Sequence, residues 1–254
     1  AADVNKLRKA TGAGLMDCKK ALQESNGDFD GAIDYLRKKG QKLALKRADR
    51  EANEGVVIAA SSEDGKFGVI VNVSCETDFV AKNDAFVAFT QSIVDIAMNE
   101  RPATKEELLA LEMDGVAISE KIAEQVGKIG EKIELANYRS LSAETVVPYI
   151  HAGYKIGVLT ALNQNGEEST AIGRDISMQI AAMAPLAVDK DGIDQTRIEK
   201  EVEIGKEQAR QEGKPEQMLE KIAMGRLNKF FKENTLVNQQ FVKDGSKTIA
   251  QVLK

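Results

Sequence analysis

The side chains that could perform covalent or acid–base chemistry are few in this sequence. His151 is the one histidine, and the cysteines Cys18 and Cys75 lie far apart, without the CxxC spacing of a redox or metal site. A nucleophile paired with histidine would therefore have to use His151. Its setting in PYIHAGYKIG, at a strand end or turn, favours a structural role over a partner contact or a catalytic base. A metal site with several histidine ligands is excluded, and we expect two reduced thiols.

Motifs that hold nucleotides or metal ions are also missing. The segment TGAGLMD begins like a dinucleotide fingerprint but lacks its third glycine and its preceding strand. The sequence has neither a GxxxxGK[ST] phosphate loop nor a DxDxDG calcium loop. We therefore expect a protein that is not an enzyme and uses no cofactor and no metal. An enzyme built on Cys75 or His151 stays as the alternative.

The segment CETDFVAKND, residues 75–84, raises a question of binding. It follows the strand-like run GVIVNV and precedes an amphipathic helical run, and it places Phe79 among polar residues. A large apolar ring is expected to be buried, either in this protein or in another one. Residue type alone favours an ordinary core position, with a partner anchor as the alternative. Asp78 is predicted to cap a short helical turn that holds Phe79.

The amino-acid composition limits the classes of partner that this protein could bind. The net charge is −5 and tryptophan is absent, so the sequence offers neither a basic field nor much stacking surface for nucleic acid. No apolar run approaches the ~18 residues of a membrane span. The first residues have neither the apolar stretch of a secretory signal nor the bias of a transit peptide. We expect a cytoplasmic protein that binds another protein, and neither nucleic acid nor membrane.

Hydrophobic spacing predicts three short helices within residues 1–53. The third begins at Asp28 as N-cap and ends at Gly40, and a charged, semi-rigid connector follows. Three helices of this size form a compact bundle. We therefore predict a small N-terminal helical domain with its connector.

From residue 54 the apolar period changes to that of strands. A β-hairpin turning at Asp64-Gly65 is followed by a helix from Ala85 and by a further strand, KIELANYRSL. The run KFGVIVNV resembles the later run KIGVLTAL, which predicts two related α+β subdomains, at 54–140 and at 141–187 with 228–254. The second copy has NQNGEES where the first has CETDFVAKND, and this absence of an aromatic favours a special role for Phe79.

Residues 188–227 have a different pattern. Apolar or small residues recur every three or four positions from Ile198 to Ala209, and Gly213 and Pro215 interrupt the helical run. This predicts an antiparallel coiled-coil hairpin inserted in the second subdomain. The hairpin is expected either to mediate a homodimer or to brace a complex. The predicted fold class is α+β.

Several segments resemble one known family. LRKATGAGLMDCKKAL and CETDFVAKND resemble the two signatures of bacterial elongation factor Ts, the nucleotide-exchange factor of elongation factor Tu. YIHAGYKIGVL, GKPEQMLEKIAMGRLNKFF and FVKDGSKTIAQVLK match further family segments in the same order, so the resemblance covers essentially the whole chain. Family members commonly continue past KTIAQVLK, whereas this sequence ends at Lys254. Either the chain is cut or a last strand is dispensable here.

The resemblance implies a function as well as an architecture. The N-terminal helices would be a ubiquitin-associated-like domain, followed by the two-subdomain core with its hairpin. The protein would bind elongation factor Tu·GDP and promote GDP release and GTP exchange by disturbing the magnesium and phosphate site. A scaffold that binds proteins through the ubiquitin-associated-like domain, without acting on nucleotide, is the alternative.

The resemblance also implies contacts with the nucleotide domain of elongation factor Tu. Leu15 and Met16 would meet one of its helices. Phe79 would wedge between side chains near the magnesium site, and Asp78 would lie beside it. The residues implied on this segment are Thr77, Asp78, Phe79 and Val80.

Further contacts are implied on either side of this segment. Ile129 and Gly130, in GKIGEK, would flank the Phe79 contact. His151 and Gly153 would face another domain of elongation factor Tu. Arg47 would contact the partner near the connector, at a position where the family often has lysine.

Overall fold

The computed structural model describes residues 2–254. The chain divides into two compact units, the first ending at Asn165 and the second running from Gly166 to Lys254. Both contain helices together with small antiparallel sheets. The fold is therefore of the predicted α+β class.

The first unit contains a run of helices, a central sheet and two small hairpins. Its helices are α1 (Ala2–Thr11), α2 (Leu15–Glu24), α3 (Phe29–Lys46), α4 (Asp78–Ala81), α5 (Asp84–Glu100), α6 (Lys105–Ala110) and α7 (Ile118–Ile129). Its strands are β1 (Glu54–Ser61), β2 (Phe67–Cys75), β3 (Glu112–Met113), β4 (Val116–Ala117), β5 (Ile133–Ser142), β6 (Thr145–Ile150) and β7 (Gly157–Leu162).

Helices α1 to α3 share a small apolar core. Leu7, Cys18 and Leu22 are buried there. The predicted N-cap of α3 is confirmed, because the Asp28 carboxylate accepts a hydrogen bond of 2.9 Å from the backbone N–H of Gly31. The predicted end of this helix at Gly40 is wrong, since α3 continues to Lys46.

Gly40 is needed where α3 crosses α7. A Cβ atom at Gly40 would lie 2.6 Å from the carbonyl oxygen of Ala123. Gly127 of α7 faces the same point, where its Cβ would lie 2.8 Å from the Cα of Gly40. Beside this crossing, Arg37 donates a hydrogen bond of 2.8 Å to Glu124. The glycine therefore permits close contact between two helices instead of ending one.

Gly40→Ala is expected to destabilise the first unit. Overpacking of this kind costs about 1–3 kcal/mol, against a gain in helix propensity of about 1 kcal/mol. Gly225→Ala is the matched control, because a Cβ there meets nothing within 4 Å, so the substitution is expected to stabilise its helix. Urea midpoints of the two variants should move in opposite directions. A Gly40→Ala midpoint at or above that of the parent would contradict the crossing argument.

The central sheet has the strand order β1-β2-β5, with both pairings antiparallel. Its main core is formed by β2 and by the inner face of α5, which buries Phe86, Ile93 and Ala97 as the predicted stripe requires. β6 and β7 form a second antiparallel pair that packs against β1 and β2. Strand, strand and helix thus recur in the predicted order. Duplication and the division into subdomains stay predictions.

The second unit contains long helices, a short helix near its C-terminal end and a small hairpin. Its elements are α8 (Glu167–Met183), α9 (Gln195–Gln211), α10 (Glu216–Asn234), β8 (Gln240–Phe241), β9 (Asp244–Thr248) and α11 (Ile249–Val252). Ile176, Leu236, Phe241 and Ile249 form its apolar core.

Helices α9 and α10 pack against each other after a four-residue turn, residues 212–215. A Cβ at Gly205 would lie 3.2 Å from the Cα of Ala223. Lys206 pairs with Glu220 at 2.7 Å, and nearer the turn Arg210 pairs with Glu216 at 2.9 Å. Since later residues of α9 meet earlier residues of α10, the two helices run antiparallel. A homodimer through this hairpin stays a prediction.

Among residues 2–254, no helix combines the length and the apolar character that crossing a membrane would require. The same residues contain no group of three or more His, Cys, Asp or Glu side chains arranged to hold a metal ion.

Candidate partner-binding surface

Phe79 projects from the single helical turn α4, which directly follows the central strand β2. Its side chain is 83% exposed, so it does not occupy the core position that residue type alone favours. Ala81 is buried in the main core instead. Residues two apart in a helix point about 200° away from each other, so a turn that buries Ala81 directs Phe79 outward.

Thr77, rather than the predicted Asp78, is the N-cap of this turn. The Thr77 hydroxyl accepts a long hydrogen bond of 3.5 Å from the backbone N–H of Val80. Asp78 is the first helical residue and accepts a hydrogen bond of 2.6 Å from Lys82, four residues later. This hydrogen bond lowers the pKa of the Asp78 carboxyl. An ionised carboxylate therefore lies beside the exposed Phe79 ring at neutral pH.

A carboxylate from a distant part of the chain holds the start of this turn. Glu131 follows α7, whose C-cap Gly130 adopts a left-handed conformation with φ of 82°. Glu131 Oε2 accepts hydrogen bonds from the backbone N–H groups of Glu76, at 3.1 Å, and Thr77, at 3.0 Å. Glu131 Oε1 accepts one of 2.6 Å from the Thr77 hydroxyl. Residues 76–77 are thereby fixed to the end of α7.

Glu76 makes the reciprocal connection, from the Phe79 segment to the residues that follow α7. Its carboxylate accepts hydrogen bonds from the backbone N–H of Lys132 at 2.6 Å, from Arg47 at 3.2 Å and from Arg50 at 3.1 Å. The bond from Lys132 and the charge and bond of Arg50 lower the pKa of Glu76. Arg47, a predicted partner contact, is half-buried here and is held by its own chain.

Glu76→Gln is expected to destabilise the protein in a pH-dependent way. Because folding lowers the pKa of Glu76 below its ordinary value of about 4.5, its stabilisation is complete above that value and is lost as pH falls through the folded pKa. The difference in urea midpoint between parent and Glu76→Gln should therefore be largest at neutral pH and shrink below about pH 4.5. Glu120→Gln, an exposed change on α7, is the control. A difference independent of pH would contradict this role.

The turn between β6 and β7 carries His151 and Gly153, and both residues are exposed. His151 Nδ1 lies 3.2 Å from the Tyr149 hydroxyl. Lys155, from the same turn, pairs with Glu54 at 3.2 Å, and Glu54 lies opposite Cys75 in the β1–β2 register. This turn therefore lies near the end of the central sheet from which the Phe79 segment leaves.

Leu15 and Met16 occupy the first turn of α2. Their side chains are 50% and 71% exposed. The loop before them touches α7, because a Cβ at Gly12 would lie 2.5 Å from Lys128 Nζ. Lys128 directly precedes Ile129 and Gly130, which are themselves half-buried. Direct contacts and chain continuity thus connect the start of α2, the end of α7 and the Phe79 turn.

Sequence reasoning missed the residues that support this surface. Glu131 acts on a backbone segment 54 residues away, and no local pattern reveals such a pair. The exposed position of Leu45 was also missed, because the helix was expected to end at Gly40. Leu45 lies on the last turn of α3 and is 79% exposed. Continuing the helical period beyond Gly40 would have identified Leu43 as inward-facing and Leu45 as exposed.

Cys75 lies beneath this surface as a fully buried, unpaired thiol. Its Sγ atom donates a hydrogen bond of 3.2 Å to the carbonyl oxygen of Thr77. Burial, with a contribution from the Glu131 charge, raises its pKa to about 11. The thiol is therefore protonated at neutral pH, and a protonated thiol is a poor nucleophile. This end of the molecule therefore presents exposed apolar side chains, such as that of Phe79, on backbone segments held by hydrogen bonds.

Comparison with known proteins identifies the family of this chain. Residues 76–254 match the family model described as elongation factor TS. Over 254 residues the chain is 56% identical to elongation factor Ts of Amoebophilus asiaticus and 53% identical to that of Christiangramia forsetii, covering all of this chain and 92% of each relative. It is 55% identical over 255 residues to elongation factor Ts of Cytophaga hutchinsonii, with the same coverage. The chain therefore belongs to the elongation factor Ts family and is a translation elongation factor that serves protein biosynthesis.

Proposed function

We propose that this protein binds elongation factor Tu in its GDP-bound form and promotes the release of GDP, after which GTP enters. The observation that carries the proposal is the exposure of Phe79 on a turn whose start is fixed by Glu131. A large exposed apolar ring on a well-held turn is suited to burial in a partner. The family to which the chain belongs supports the choice of partner.

The proposed mechanism is a wedge. Phe79 enters the nucleotide domain of elongation factor Tu near its magnesium site and displaces groups that hold magnesium and the phosphates. This protein and GDP then weaken each other's binding to elongation factor Tu by the same factor. No covalent step occurs, so the protein acts as an exchange factor and uses no cofactor or metal of its own. We place the exchange cycle in the cytoplasm.

Phe79 alone does not supply enough free energy for exchange. An acceleration of about 10⁴-fold requires lowering the barrier by roughly 5.5 kcal/mol. Burial of one phenylalanine side chain contributes about 1.5–3 kcal/mol. Further contacts must therefore hold elongation factor Tu in its distorted state. His151 and Gly153 are the proposed sources, whereas Leu15 and Met16 are proposed to hold the two proteins together; all four are exposed in the same unit as Phe79.

Flanking residues complete the proposed contact. Val80 and Ile129 are partly buried and pack against the main core, so they offer only part of their surface to a partner. Gly130 leaves room for close approach at the end of α7. Arg47 would contact the partner with the part of its guanidinium not committed to Glu76.

Release of a fluorescent GDP analogue from purified elongation factor Tu, followed by stopped flow, tests the proposal. Release should accelerate as the concentration of this protein rises and then approach a maximum rate. A release rate that does not depend on this protein at any concentration would overturn the proposed function.

A protein-binding scaffold is the second candidate function. The exposed Leu15 and Met16 lie on the three-helix segment, and they would bind a peptide or nascent chain without acting on nucleotide. A scaffold of this kind would bind elongation factor Tu, or another protein, while the GDP release rate stayed at its spontaneous value. The same stopped-flow experiment separates the two functions.

A further inference from the structure

We propose that Glu131 is a positioning residue for exchange, which holds the α4 turn in the orientation that presents Phe79 to the partner. This inference rests on the proposed function and adds a residue that does not itself need to touch elongation factor Tu. Glu131 is half-buried, and its two carboxylate oxygens are both turned toward residues 76 and 77.

The three hydrogen bonds to Glu131 define the position of Thr77. Two come from consecutive backbone N–H groups and one from the Thr77 hydroxyl. Hydrogen bonds to an ionised carboxylate are stronger than those between neutral groups. Backbone and side chain of Thr77 are therefore both held, which leaves this residue little freedom to rotate.

Thr77 transmits this position to Phe79. A hydroxyl has a single proton, which Thr77 donates to Glu131, so its lone pairs are free to face the N–H of Val80. The carbonyl oxygen of Thr77 accepts bonds from Cys75 Sγ, at 3.2 Å, and from the N–H of Ala81, at 3.3 Å. The start of α4 is thus fixed on both sides of its N-cap, and Phe79 lies two residues along the turn.

The residues next to Glu131 in the chain also belong to the proposed contact surface. Glu131 directly follows Gly130, and Glu76 accepts a bond from the N–H of Lys132 in return. The start of α4 and the residues after α7 are therefore joined in both directions. A surface ordered before binding does not lose that conformational entropy on association. Loss of the connection should leave Phe79 exposed but free to adopt unproductive orientations.

The first test uses the free protein, without elongation factor Tu. Glu131→Ala removes both acceptor oxygens, so the N–H groups of Glu76 and Thr77 and the Thr77 hydroxyl all lose this partner. Amide hydrogen exchange at Glu76 and Thr77 should accelerate about 10-fold or more, and by more than any change in the urea midpoint accounts for. Unchanged protection of these amides would overturn the positioning role, whatever happens to GDP release.

The second test measures the maximum rate of GDP release. Glu131→Ala is expected to lower that rate about 10-fold, with a smaller change in the half-saturating concentration. In the Phe79→Ala background there is no ring to position, so the double variant should lose little more than Phe79→Ala alone. Additive losses would mean that the two residues act independently and would overturn the inference. A parent protein without any effect on GDP release would refute the proposed function, and the amide measurement would still decide whether Glu131 holds the turn.

Discussion

Phe79→Ala is expected to lower the maximum rate of GDP release from elongation factor Tu by about 10- to 150-fold while some acceleration remains. The ring contributes about 1.5–3 kcal/mol when it is buried in the partner. Each 1.36 kcal/mol, roughly, that is lost from the stabilisation of the transition state slows release tenfold. Since full exchange requires more than this, the other contacts still distort elongation factor Tu to some extent. Binding should persist in the variant.

The substitution separates function from stability. Phe79 is exposed in the free protein, and surface substitutions usually change the free energy of unfolding by no more than about 0.5 kcal/mol. The urea midpoint of Phe79→Ala should therefore equal that of the parent. Phe79→Leu keeps part of the apolar volume, so its maximum rate of GDP release should lie between those of the parent and of Phe79→Ala.

Val242→Ala is the matched control for Phe79→Ala. Val242 is also an exposed apolar side chain, and it lies in the second unit, which contains none of the predicted contact residues. This variant should release GDP at the parental rate. A Phe79→Ala protein that exchanged nucleotide as fast as the parent would refute the wedge.

Local patterns predicted the elements that depend on neighbours in the chain. The Asp28 cap, the hairpin at Asp64-Gly65 and the apolar stripe of α5 were all readable, because each depends on residues within one or two turns. The end of α3 was not readable, because the same glycine that usually ends a helix is used here for contact with Ala123. The role of Gly40 is decided by a residue far away in the sequence.

Only part of the candidate surface could be predicted from the sequence, and the reason differs from that for α3. Residue type alone favoured a buried Phe79, and only the comparison with NQNGEES and the family resemblance indicated a special role. Exposure is decided by which side of α4 faces the core, and Ala81 occupies that side. The supports at Glu76 and Glu131 join loops more than fifty residues apart. Pairing at such separations depends on the folded sheet and leaves no periodic signal in the sequence.

Replacing Leu15 and Met16 together by alanine is expected to have the opposite kinetic signature to Phe79→Ala. Both side chains are exposed in the free protein, and their proposed contact is made equally before and during GDP release. Loss of such uniform binding raises the half-saturating concentration and leaves the maximum rate unchanged. Losing about 2–4 kcal/mol of apolar burial corresponds to about 30- to 1000-fold weaker binding.

Met218→Ala with Met224→Ala is the matched control for the Leu15 and Met16 pair. These two methionines are exposed on α10 and outside the proposed surface, so their removal should leave the half-saturating concentration near the parental value. Stopped-flow titrations of the variants give both constants from one curve. A lower maximum rate with unchanged half-saturation for the Leu15 and Met16 pair would contradict the assignment. It would mean that the three-helix segment acts in the distortion of elongation factor Tu and not only in holding it.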